Sequence, residues 1–192
     1  LIAMASMIRL FPIASAEENV VMAGPGSCGV AHSAMIPLSK AHMENYKVSY
    51  NGTTHYELPT GNYSLKEDIV LLYPLWLVGS DTEIHLDLQG YSFRASASAT
   101  YRAFHEGYSA KTQLSAMVIL SNGAVLNLCD SAGGGGIDGS KLSVSGINGL
   151  LGIYNSATVN MYGGTVVGAP VGNTADNRIH GNYQNRSSKD NG

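Results

Sequence analysis

Along much of the chain aliphatic residues alternate with polar ones over short stretches, and three of these stretches share one pattern. They are Ile84-His85-Leu86-Asp87-Leu88-Gln89-Gly90, Val125-Leu126-Asn127-Leu128-Cys129-Asp130 and Thr158-Val159-Asn160-Met161-Tyr162-Gly163. Each sets an Asp or Asn between two aliphatic residues and closes on Gly or Asp. A period of two predicts strands, with Leu86, Leu88, Leu126, Leu128, Val159 and Met161 facing one core and Asp87, Asn127 and Asn160 facing away from it. In this alignment Leu86, Leu126 and Val159 are equivalent, as are Asp87, Asn127 and Asn160, at separations of 40 and 33 residues. Recurrence at such intervals predicts stacked strand-and-turn units. In register, the three Asx side chains would form a short outward ladder at the strand spacing of ~4.8 Å.

Each unit pairs an apolar strand with a signature strand across a polar turn. The apolar partners are residues 76–78, 117–120 and 150–154, and the turns fall at 79–82, 121–123 and 155–157. Upstream, Tyr63-Ser64-Leu65 and residues 69–72 read as strands, the second stopped by Pro74, which has no N–H to give to a ladder. Residues 17–55 read as an irregular segment. Within it lie a Gly24-Pro25-Gly26-Ser27 break, a short helix inside residues 37–44 with Ser39 as cap, and a strand at 47–50 ending in the Asn51-Gly52 turn signal. Residues 92–113 are expected to loop out, the glycines at 133–136 to form a flexible loop, and residues 141–144 to add a strand. From Asn173 the chain is almost wholly polar, with too little apolar surface to pack.

Composition suits this reading. The chain has 192 residues, of which only 13% are charged, about half the usual share, while 23 are glycine. Long surface helices need Lys and Glu; short strands and tight turns do not. A net charge of −3 gives no electrostatic reason to expect nucleic acid or an anionic membrane surface as partner. Residues 1–13 are mostly apolar, and Ala14-Ser15-Ala16 supplies the small-x-small pattern that precedes signal-peptidase cleavage. Residues 1–16 are therefore expected to be a signal peptide entered part-way. The competing reading is a buried helix, to which Arg9 lends weight. The run is too short to span a bilayer, and nothing later is long enough. Cys28 and Cys129 lie 101 positions apart, which leaves a disulfide and two unpaired thiols both open.

The order of motifs carries a family resemblance. Residues 58–71, with Gly61-Asn62-Tyr63-Ser64-Leu65-Lys66-Glu67-Asp68-Ile69-Val70-Leu71 at their centre, are followed by the Trp76 segment and Leu86-Asp87-Leu88-Gln89-Gly90. Then come residues 123–130 and Gly152-Ile153-Tyr154-Asn155-Ser156-Ala157-Thr158-Val159-Asn160-Met161-Tyr162-Gly163-Gly164-Thr165-Val166. This series resembles the right-handed parallel β-helix repeats of large bacterial surface, adhesin-like proteins over roughly residues 56–172. It departs from them at Gln89, where Asn is usual, and at Arg94 and the Ala/Ser run after it. The resemblance implies an all-β, right-handed parallel β-helix (a solenoid) with an irregular N-terminal capping segment at 17–55, repeats at 56–172 and a polar tail at 173–192. It further implies a non-catalytic protein, secreted or held at the cell surface, built of more rungs than these, that presents loops to glycans or proteins. It supplies no catalytic residues.

Parallel β-helices also include polysaccharide lyases and glycoside hydrolases, which need clustered carboxylates on one face. Here Asp68, Asp81, Glu83, Asp87, Asp130 and Asp138 are scattered, and Arg178-Ile179-His180-Gly181 lies off any predicted strand. They read as solvated turn and ladder residues. Cys28, His32 and His42 lack ligand spacing for zinc, and Cys28 has no evident activating partner. Gly133-Gly134-Gly135-Gly136 lacks the Lys-Ser/Thr of a phosphate loop. Tyr91, Tyr101, Tyr108, Tyr154 and Tyr162 have faces suited to sugar rings but read equally as core caps. Asn51, Asn62 and Asn185 head glycosylation sequons that so much Asn, Ser and Thr produces by chance. No residue is assigned a catalytic, cofactor or metal role, and no cofactor is expected. The runner-up reading is a carbohydrate-active β-helix enzyme whose catalytic rungs lie elsewhere; a third is a tail-spike-like receptor binder.

Overall fold

The structure, a computed structural model, describes residues 29–102, 116–142 and 150–168. The expectations for the signal peptide, the break at 24–27, Cys28, Tyr108, residues 178–181, Asn185 and the tail at 173–192 lie outside these residues. Strand dominates and helix is scarce. In chain order the strands are β1 (Ile36–Leu38), β2 (Lys47–Tyr50), β3 (Thr53–Tyr56), β4 (Gly61–Leu65), β5 (Ile69–Leu71), β6 (Leu75–Val78) and β7 (Glu83–Asp87). There follow β8 (Ser92–Ala95), β9 (Val118–Ser121), β10 (Val125–Cys129), β11 (Gly136–Asp138), β12 (Leu151–Ile153), β13 (Thr158–Met161) and β14 (Thr165–Val167). One α-turn, α1 (Lys40–Met43), and two 3₁₀ turns lie before β2.

The strands make three sheets. Sheet A runs β1-β4-β7-β10-β13, sheet B β12-β9-β6-β3-β2, and sheet C β14-β11-β8-β5. Every pairing is parallel except β2 with β3. From β3 onward the chain visits B, A and C in strict rotation, so each sheet receives every third strand. Parallel neighbours cannot be joined by a hairpin, and here the crossover of each pair is made by strands of the other two sheets.

Alternation sets what these strands bury. Leu65, Ile84, Leu86, Leu126 and Leu128 of sheet A pack in one cluster with Ile69, Leu71, Phe93 and Ile137 of sheet C and Leu75, Leu77, Val118, Leu120 and Leu151 of sheet B. All are at most 1% exposed. Trp76 and Ile119 point the other way from sheet B and bury with Ala116 and Tyr154 in a second cluster. The Trp76 indole Nε1 donates to Ser121 Oγ at 2.8 Å.

Several sequence expectations hold. Ser39 caps α1, its hydroxyl accepting from the backbone N–H of His42 at 3.4 Å. Asn51 and Gly52 make the β2–β3 turn with φ of 48° and 76°, the left-handed region that this residue pair adopts with least cost. β5 ends before Pro74. Others are corrected. The segment at 17–55 is not irregular throughout: β1 extends sheet A at its edge, where Pro37 withholds no ladder bond from a further strand. Residues 92–95 do not loop out but form β8. Lys141 and Leu142 are not in a strand, and residues 143–149 lie outside the described ones.

The glycine run at 133–136 is exposed at Gly133 and Gly134 but packed at Gly135 and Gly136, where a flexible loop was expected. A Cβ on Gly136 would lie 2.4 Å from Thr165 Oγ1 and 2.7 Å from Thr165 O, so β11 and β14 approach only because position 136 has no side chain. The register also differs from the sequence alignment. Leu126 pairs with Ile84, Asn127 with His85 and Cys129 with Asp87, two residues from the expected match. The β10–β13 match of Asn127 with Asn160 is as expected. Ile84-His85-Leu86 has the same aliphatic-polar-aliphatic form as Leu86-Asp87-Leu88, and a slip of two keeps every side chain on its face.

These positions predict distinct costs, measured by urea unfolding followed through the single tryptophan. Leu126→Asp, placing a carboxylate at a site 1% exposed, is expected to abolish folding. Asn127→Val, losing hydrogen bonds but no core contact, should cost about 1–2 kcal/mol. Gly136→Ala, although strand propensity alone favours alanine, should destabilise by about 1–3 kcal/mol, because a Cβ there meets Thr165 Oγ1 and the Thr165 backbone must retreat.

Candidate functional site

Sheet A presents its polar side along a row running across the strands. Asn62, His85, Asn127 and Asn160 are register partners on β4, β7, β10 and β13. Asn160 Nδ2 donates to Asn127 Oδ1 at 2.9 Å, and Asn127 Nδ2 donates to Glu83 Oε1 at 2.9 Å and lies 3.4 Å from His85 Nε2. A second amide step lies in the turns, where Asn155 Nδ2 donates to Asn122 Oδ1 at 2.9 Å. The expected Asx ladder therefore exists with His85, not Asp87, in its β7 place.

Asp87 belongs to the neighbouring row and is buried, contrary to its expected solvated position. Its Oδ1 accepts from the backbone N–H groups of Ser131 at 2.9 Å and Gln89 at 3.1 Å. Its Oδ2 accepts from Ser131 Oγ at 2.6 Å and lies 2.8 Å from His32 Nε2. Gln89 takes φ of 53° at the corner, and its carboxamide nitrogen reaches Asp87 Oδ2 and the His32 ring. Burial pushes the Asp87 carboxyl up, but the hydrogen bonds from Ser131 and Gln89 outweigh it and hold the group below its ordinary value.

His32, Asp87 and Ser131 are the components of a nucleophilic triad without its geometry. The hydroxyl donates to the carboxylate, and imidazole Nε2 sits 3.0 Å from Ser131 Oγ and 2.8 Å from Asp87 on the same ring atom. A general base must receive the nucleophile's proton on one ring nitrogen while the acid orients the other. The cluster instead pins the N-terminal segment across sheet A. Ninety-nine positions separate His32 from Ser131, and no sequence spacing signals the contact. Cys129, the register partner of Asp87, is disulfide-bonded; Cys28, the only other cysteine, lies outside the described residues.

The remaining acids are dispersed. Asp130 accepts from the backbone N–H groups of Gly90 and Gly135, each at 2.7 Å, and so ties two corners together. Asp68 pairs with Arg94 at 2.8 Å on the outside of sheet C and accepts from Ser92 N–H. Asp138, the register partner of Arg94, is held below its ordinary value by the Ser140 hydrogen bond, which overcomes burial, with help from Arg94 and Lys141. Asp87 and Asp138, shifted downward, are ill-suited to donate a proton near neutrality. Asp81 lies in the β6–β7 turn, where its side chain faces Ser80 Oγ at 3.4 Å. Among the described residues no three His, Cys, Asp or Glu side chains gather as metal ligands. His42 bonds instead to Ser39 Oγ.

Of the tyrosines, Tyr101 is fully buried, its hydroxyl donating to Leu71 O at 2.6 Å, and Tyr154 packs on Trp76's cluster. Tyr91 and Tyr162 are exposed. Two clefts lie near the β1 end. One of about 530 Å³ is lined by Met43, Tyr56, Ile69, Val70 and Leu72 with Lys40, Ala41 and Glu44. The other, of about 280 Å³, includes Tyr46, Val48, Glu57 and Trp76. Among the described residues no helix is long and apolar enough to cross a membrane. No protein-family model, no curated protein and no solved structure matches the chain.

The Asp87 environment predicts an acid-sensitive stability. A carboxyl with a lowered native pKa stabilises the fold above its unfolded pKa of about 4, and that contribution is lost as pH falls through the lowered value. Asp87→Asn should therefore be less stable than the parent at pH 7, with the difference shrinking toward low pH in urea titrations. Thiol titration of the denatured, unreduced chain should find no free cysteine, and reduction should cost about 2–5 kcal/mol of stability.

Proposed function

We propose that the chain is a right-handed parallel β-helix module of an exported, adhesin-like surface protein, which binds glycans or proteins through its outer faces and corners. The observation that carries this reading is the rotation of the chain through three parallel sheets with matched register. That path returns to each face once per circuit, and the right hand is the one parallel crossovers take. Aliphatic residues at most 1% exposed line the inside of the circuits, while the outer faces hold amides, hydroxyls and scattered charges. The signal-like residues 1–16, the order of motifs at 56–172 and a disulfide at Cys129 agree with export to an oxidising compartment. Asp68, Glu83, Asp87, Asp130 and Asp138 act in this reading as braces, each holding backbone N–H groups, an amide or a cation rather than substrate.

The purified chain applied to arrayed glycans and to immobilised cell-surface proteins should bind a subset without altering it. Release of new reducing ends or unsaturated sugars from a bound polysaccharide would overturn this in favour of a carbohydrate-active enzyme. Expressed for secretion, the chain should leave the cell with Glu17 as its first residue.

A further inference from the structure

Two Asn-Gly pairs lie among the described residues, and both sit in turns with much the same backbone. Asn51 and Gly52 take φ of 48° and 76° between β2 and β3; Asn122 and Gly123 take 57° and 84° between β9 and β10. The dipeptide is chemically identical in the two places and its local conformation nearly so. Its surroundings differ.

Asn122 is caged by neighbouring turns. Its Oδ1 accepts from Asn155 Nδ2 at 2.9 Å, and the Gly123 N–H donates to Asn155 O at 2.9 Å. From the other side, a Cβ on Gly123 would lie 3.3 Å from both Cα and Cβ of Ser80, so this turn is stacked closely on the one at Ser80. Asn51 has no such cage. β2 is the last strand of sheet B and pairs with β3 alone. Asn51 and Gly52 are both exposed, and a Cβ on Gly52 would meet nothing within 4 Å. Neither the Asn51 carboxamide nor the Gly52 N–H has a hydrogen-bond partner among the described residues.

We propose that Asn51 is a site of spontaneous deamidation in the folded protein, and that stacking protects Asn122 from the same reaction. The Gly52 backbone nitrogen attacks Cγ of Asn51. The N–Cγ bond forms as the Cγ–Nδ2 bond breaks, and the Gly52 amide proton leaves with Nδ2 as ammonia. Water then opens the cyclic imide at either carbonyl, leaving aspartate or isoaspartate. Glycine allows the attack because it sets no side chain beside the nucleophile. Both turns must leave the left-handed region for nitrogen and Cγ to meet, which an exposed hairpin tip does by local opening. Asn122 must in addition break its hydrogen bonds to Asn155 and part from Ser80. The isoaspartyl product lengthens the backbone inside the tight β2–β3 turn, so β2 loses its register with β3, while β3 stays joined to β6.

Ageing the full chain at mildly alkaline pH, folded and in urea, followed by peptide mapping with mass spectrometry, tests this. In the folded chain the Asn51 peptide should convert at least about tenfold faster than the Asn122 peptide, since the second turn must also give up the hydrogen bonds to Asn155. In urea, with the stacking gone, the two rates should converge. Like rates in the folded chain, a faster Asn122, or a difference undiminished in urea would each overturn the proposal, the last by tracing the difference to flanking residues. Hydrogen exchange of the converted chain should quicken at residues 47–56 and hold steady at 118–129. Unchanged protection at 47–56 would overturn the loss of hairpin register.

Discussion

Parallel in-register hydrogen bonding between successive circuits is the constraint on which the rest depends. Once β7 pairs with β4 and β10 pairs with β7, each side chain must lie over an equivalent one about 4.8 Å away. Like then stacks on like. Tyr63, Leu86 and Leu128 become one inward column, and Asn62, His85, Asn127 and Asn160 one outward row. The three sheets share one core, to which each strand adds its inward side chains beside those of its parallel neighbours.

The corners show how this array tolerates polar groups. Turning from one sheet to the next leaves backbone N–H groups without ladder partners, and buried donors must be satisfied. Asp87 and Asp130 do this, accepting from residues 89, 90, 131 and 135, so two buried carboxylates hold the A-to-C corners of successive circuits. His32 fastens the segment before β1 on the outside of the same strands. Read from the sequence as solvated turn residues, Asp87 and Asp130 are instead buried acceptors of corner N–H groups. The outer faces they leave, amide-rich on sheet A and charge-paired on sheet C, are the surfaces available to partners in the function proposed.

Alternation in the sequence was sufficient to place strands and faces. The strands at 83–87, 125–129 and 158–161, the turn at Asn51-Gly52, the cap at Ser39 and the inward set of Leu86, Leu126 and Leu128 were legible, because a period of two and a turn residue needing positive φ are local properties. The pairing of Asn127 with Asn160 was legible too, since the two strands and the turns before them match in length.

Tertiary structure decided the rest. Alternation forbids a slip of one residue but is indifferent to a slip of two, so only the hydrogen-bonded ladder could set Asn127 on His85 rather than on Asp87. Burial of Asp87, the fit of Gly136 against Thr165, and the meeting of His32 with Ser131 follow from segments brought together across 29 to 99 positions, and no local pattern encodes them. The sequence by itself determined which side chains of β7, β10 and β13 turn toward the shared core; which residues stand side by side on the other face, and which of them are covered, was determined only when the strands paired, because register is a property of the pair of strands and not of either one.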